Sequence, residues 1–125
     1  MEILDLNHVA LHVADADASC HFYGEVLELP SKARPAFGFP GGWFALGPVR
    51  ELHLIGGRDN AVNSASRGNH FALEVASLAE SEAFLRSKGL DIQGPQTRPD
   101  GALQLYITDP DGYSIEFTEL TVEST

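Results

Sequence analysis

The segment Asn7-His8-Val9-Ala10-Leu11-His12-Val13-Ala14 returns 62 residues later as Asn69-His70-Phe71-Ala72-Leu73-Glu74-Val75-Ala76, with six of the eight positions identical. Phe22 and Phe84 stand at the same offset, so the likeness runs on into the next element. A chain that repeats itself in this way is built from two copies of one supersecondary unit. We place the half-repeats at about residues 1–57 and 66–122 of a single domain spanning 1–125, joined by a loop over 56–68 that is rich in Gly, Ser and Asn.

Each half reads as an alternating strand, a helix, and then strands joined by Gly, Pro and Asp turns, which is βαβββ, an α+β pattern, written twice. The first helix is predicted to begin at Asp15 or Asp17, to turn Cys20, Phe22, Tyr23, Val26 and Leu27 toward the sheet, and to be ended by Pro30. The second carries Ser77 as N-cap with Glu80 three residues on, the apolar residues Leu78, Ala79, Phe84 and Leu85, and Gly89 past its end. Asp109-Pro110-Asp111-Gly112 is predicted to turn the last hairpin between Leu105-Tyr106-Ile107 and Ile115-Glu116-Phe117.

Side chains alternate across a strand, so His8, Ala10 and His12 share one face of the first strand while Val9, Leu11 and Val13 share the other. The same rule puts His70, Ala72 and Glu74 together, then Ser114, Glu116 and Thr118, and in the fourth strand Glu51, His53 and Ile55. At an offset of 63, His53 falls on Glu116, and each lies ten residues after an aromatic, Trp43 and Tyr106. A pseudo-twofold between the halves would bring His8, His53, His70 and Glu116 to symmetric places on one surface. Imidazoles with a carboxylate suit one divalent ion of the Zn, Ni, Co, Mn or Fe kind, and would not serve an all-oxygen Mg or Ca cage. Glu51 shares the face of His53, so either can be the fourth ligand. His12 is read as a rim residue.

These segments, together with Leu52-His53-Leu54-Ile55 and Asp109-Pro110-Asp111-Gly112-Tyr113-Ser114-Ile115-Glu116, resemble the vicinal oxygen chelate superfamily. That group includes glyoxalase I, extradiol dioxygenases and bleomycin resistance proteins. The resemblance implies paired βαβββ modules forming an open, cup-shaped mixed sheet with the helices outside, and a divalent metal held by His8, His70 and Glu116. It also implies chelation of two neighbouring substrate oxygens, with the metal stabilising an enolate or similar oxyanion.

We therefore expect a metal-dependent lyase or isomerase of glyoxalase I type acting on a small α-hydroxycarbonyl or its thiol adduct, with Glu116, His53 and Tyr106 as catalytic groups. Glyoxalase I typically has Glu where this chain has His53, which weakens the claim to that enzyme's own substrate. An extradiol dioxygenase using His8, His70 and Glu116 as an iron triad is the second expectation, and a metal-free drug-binding protein the third. Trp43, Phe44, Arg67 and Arg98 are candidate substrate contacts, and Gly41-Gly42 a candidate hinge.

The chain carries 8 Lys and Arg against 18 Asp and Glu, a formal net charge of −10, which repels phosphate backbones and anionic lipid surfaces. We expect a small-molecule substrate, a homodimer, and neither nucleic acid nor membrane as partner. The single Cys20 excludes an intrachain disulfide, and Met1-Glu2-Ile3-Leu4-Asp5 lacks a basic, apolar leader, so a cytoplasmic location is expected.

Overall fold

The computed structural model describes residues 1–121; residue 122, the expected end of the second half-repeat, lies outside them. Two compact units divide the chain, Met1–Ala61 and Val62–Thr125. In the first, β1 (His8–His12) is followed by α1 (Ala16–His21), a π-helical segment (Phe22–Val26), β2 (Ser31–Lys32), β3 (Gly41–Leu46) and β4 (Arg50–Ile55). The second has β5 (Phe71–Glu74), α2 (Leu78–Ser87), β6 (Gln93–Thr97), β7 (Leu103–Thr108) and β8 (Ser114–Glu119). Each unit holds one four-stranded mixed sheet, in the orders β1-β4-β3-β2 and β5-β8-β7-β6. The same strand order in both is the repeat made visible, and the class is α+β.

Register follows the sequence offsets. In the first sheet Ala10 pairs His53, which pairs Trp43; in the second Ala72 pairs Glu116, which pairs Tyr106. The apolar faces predicted by alternation are the cores: Leu11, Val13, Leu52 and Leu54 in the first unit, and Leu105, Ile107 and Ile115 in the second, are all at most 5% exposed.

Asp15 caps α1, accepting from the Ala18 N–H at 3.1 Å. The helix then widens to the π-helical segment, which still turns Phe22 and Tyr23 into the core. It ends before Pro30, at Leu27, because Glu28 takes a left-handed conformation (φ 59°). Ser77 caps α2 through the Glu80 N–H at 3.1 Å, and Glu119 of β8 takes the Leu78 N–H at 2.7 Å. Ala79 is exposed rather than core-facing, whereas Leu78 and Leu85 are buried. Loop residues 63–69 tie themselves down: Ser64 Oγ donates to the Asn69 carbonyl at 2.6 Å and accepts from the Ser114 N–H at 2.9 Å.

Gly41 and Gly42 form the first part of β3, pairing Ile55 and Leu54, and are not a hinge. The absence of side chains there is a packing requirement. A Cβ at Gly41 would stand 2.1 Å from the Leu54 carbonyl oxygen, and one at Gly42 would stand 2.6 Å from Cys20 Sγ. Gly41→Ala is expected to lower the free energy of unfolding by about 1–3 kcal/mol in chemical denaturation, as overpacking does. Gly38→Ala, at a position with nothing within 4 Å of the added carbon, is expected to stay within about 0.5 kcal/mol of the parent.

Candidate functional site

Glu116 lies near the centre of the second sheet, on β8 between β5 and β7, and is 5% exposed. A carboxylate at such depth needs a partner for each oxygen. Tyr106 OH donates to Oε1 at 3.1 Å, and Gln104 Nε2 donates to Oε2 at 3.0 Å. Both come from β7, two residues apart and therefore on one face. His70, just before β5, brings Nε2 to 3.0 Å from the same Oε1, while its Nδ1 stands 3.2 Å from the Gly68 carbonyl. A carboxylate only accepts, so at this separation the His70 Nε2–H donates to Oε1. The His70 and Tyr106 rings meet edge to face, with centroids 5.5 Å apart. Burial and the neighbouring Glu116 charge push the Tyr106 phenol above its ordinary range, so near neutrality it remains a proton donor.

In the first unit three rings stand in a row. His53 is stacked on Trp43 (3.8 Å, 2°) and on His8 (4.1 Å, 18°). His53 Nε2 is 2.9 Å from Glu51 Oε1, and the second oxygen of Glu51 pairs with Lys32 at 2.9 Å. The His53 imidazole first, and Lys32 next, hold the Glu51 carboxyl below its ordinary value. A cavity of about 550 Å³ in the same unit is lined by Cys20, Ser31, Lys32, Arg34 and Trp43 among others. Burial pushes the Cys20 thiol up, which leaves it a poor nucleophile.

The structure thus brings His70, Glu116 and Tyr106 together in one unit, and His8, His53, Glu51 and Trp43 together in the other. Among the described residues no group of three or more His, Cys, Asp or Glu gathers to hold a metal ion. His12 is exposed on β1. Phe44 is 4% exposed and pairs Leu52, on the strand face opposite Trp43, and it too lines the cavity. Arg67 is exposed. Arg98 is engaged by Asp100 through two bonds of 2.8 and 2.6 Å. Gln104 and Gln96 were not singled out from sequence; position i−2 from Tyr106 was the available signal for Gln104. Among the described residues no helix is long and apolar enough to cross a membrane.

The fold and this polar sheet face define a class, and the comparisons agree with it. The chain belongs to the Glyoxalase/Bleomycin resistance protein/Dioxygenase superfamily, which it matches over residues 5–117. It is 31% identical over 122 residues to the uncharacterized protein YwbC of Bacillus subtilis (strain 168), covering 90% of this chain and 94% of that one. A crystal structure assigned to the glyoxalase family, from Bacillus anthracis, superposes with a TM-score of 0.83 at 27% identity, covering 97% of this chain and 98% of the other. Lactoylglutathione lyase from Agrobacterium tumefaciens shares the fold, with a TM-score of 0.76 at 22% identity and coverage of 94% and 95%.

The Arg98 fork holds Asp100 at a pKa of about 2. A carboxyl lowered in the folded state contributes stability that is fully present above its unfolded value and is lost as pH falls through the folded one. NMR titration of Asp100 is therefore expected to give a midpoint near 2, rising toward the ordinary Asp value in Arg98→Ala.

Proposed function

We propose that this protein is a divalent-metal-dependent lyase or isomerase of glyoxalase I type, acting on a small α-hydroxycarbonyl or its thiol adduct. The observation that carries this reading is the separation of 3.0 Å between His70 Nε2 and Glu116 Oε1. An imidazole and a carboxylate set this close are donors of the kind that would hold a borderline divalent cation. His8 and His53 of the first unit are the further donors in this reading, with Glu51 as the alternative to His53. A cation of the zinc, nickel, cobalt, manganese or iron kind would supply a Lewis acid that stabilises an enolate-like oxyanion.

The chain's own groups supply binding and proton movement. Glu116 Oε1 is the proton acceptor for the carbon acid, and Tyr106 steadies that oxygen through its hydroxyl. His53, sandwiched between Trp43 and His8, is placed to return a proton at its ring nitrogen. Glu51, whose carboxyl is held low by His53 and Lys32, serves to orient His53. Trp43, half-buried beside His53, offers an apolar wall to the substrate body. In this reading the protein works as a homodimer in the cytoplasm, and its charge of −10 argues against nucleic acid or membrane partners.

Metal content by mass spectrometry of tag-free protein purified without chelators tests the proposal. Near-stoichiometric zinc, nickel, cobalt or manganese is expected, falling at least about tenfold in His70→Ala and Glu116→Ala and retained in His12→Ala. Iron in the parent would turn the assignment to the extradiol dioxygenase with a His8, His70 and Glu116 triad. No metal even after reloading would overturn the lyase in favour of a drug-binding protein.

A further inference from the structure

The two oxygens of Glu116 are treated differently. Oε1 meets His70 Nε2 and the Tyr106 hydroxyl, whereas Oε2 accepts only from Gln104 Nε2 among the bonds given above. Gln104 is itself 9% exposed, and its Oε1 accepts from Gln96 Nε2 at 3.3 Å. An amide has one donor end and one acceptor end, and a carboxylate accepts only, so this chain of bonds has a single sense. Nitrogen of Gln104 must face Glu116, and oxygen of Gln104 must face Gln96.

Backbone irregularity places the last member. Gln93 pairs Tyr106 and Gln96 pairs Gln104, so three steps along β6 are matched by two along β7. One extra residue in a strand changes which side chains face the partner's residues. Without that bulge Pro95 would stand opposite Gln104, with no amide to offer.

We propose that Gln104 is a positioning residue for Glu116: it occupies Oε2, so that Oε1 is the oxygen turned to His70 and Tyr106, and is itself oriented by Gln96 across the β6 bulge. The inference rests on the reading of Glu116 as a metal-binding carboxylate. Its chemistry is that of an outer hydrogen-bonding partner, which fixes the rotation of a ligating group and thereby its affinity.

The test uses the full chain and Ni²⁺ in titration calorimetry, with thermal unfolding measured on every variant. Gln104→Met, close in shape but unable to donate, is expected to weaken Ni²⁺ binding about tenfold. Gln96→Ala, at an exposed position that the fold tolerates, is expected to weaken it less. The double variant is expected to bind no worse than Gln104→Met, because Gln96 acts only through Gln104; a merely structural pair of residues would give additive losses. In metal-free protein the Gln104 side-chain amide protons are expected to be protected from exchange by NMR, and to lose protection in both Gln96→Ala and Glu116→Gln.

Parent-like affinity in Gln104→Met, while Glu116→Gln has lost the metal, would overturn the positioning role alone. Additive losses, or a freely exchanging Gln104 amide in the parent, would do the same. Ni²⁺ binding that survives Glu116→Gln, or is missing from the parent, would overturn the reading of Glu116 on which the inference stands, and the inference with it.

Discussion

A carboxylate set into the face of a β-sheet is the constraint around which the second unit is arranged. Removing such a group from water costs several kcal/mol unless hydrogen bonds replace what the solvent gave. Glu116 is answered by Tyr106 and Gln104 from one neighbouring strand and by His70 from the start of the other. Those three partners arrive only because β8 lies inside the sheet, parallel to β5 and antiparallel to β7. An edge position would have left one side of the carboxylate open. The cost of burial is thus offset by groups that also fix its geometry, and a fixed carboxylate is what proton transfer or metal binding requires.

The first unit meets the same design problem with different chemistry. His53 stands at the register place of Glu116, and Trp43 at that of Tyr106. Here ring stacking replaces the hydrogen bond from the neighbouring strand, and the polar partner is Glu51 on the same strand. The repeat therefore conserves positions and spacing while dividing the labour between an aromatic, imidazole-rich face and a carboxylate-centred one.

Much of this was legible in the sequence. The offset between Asn7-His8 and Asn69-His70 exposes the repeat, and strict alternation puts His8, His53, His70 and Glu116 on polar faces without any knowledge of the fold. Trp43 and Phe44 were less well served: aromatic density suggested one wall, yet neighbours in a strand point opposite ways, and Phe44 went to the core. Gln96 was hidden for a sharper reason. A bulge breaks the period of two, and no count along β6 carries across an inserted residue. The widening of the first helix over Phe22–Val26 is equally invisible to periodicity, because the same apolar residues satisfy a regular turn.

In each sheet the first strand pairs with the last. His12 ends β1 and its partner β4 begins at Arg50; Glu74 ends β5 and β8 begins at Ser114. Such pairing closes a long loop before it returns any ladder bonds, which slows folding relative to hairpins made of neighbours. On the ribosome, β1 must therefore wait unpaired until β4 has emerged, and β5 must wait for β8 in its turn. A chain cut short within β8 would keep His70 but strand it beside an unfinished ladder, so the polar face is assembled only by the last strand of its sheet in chain order.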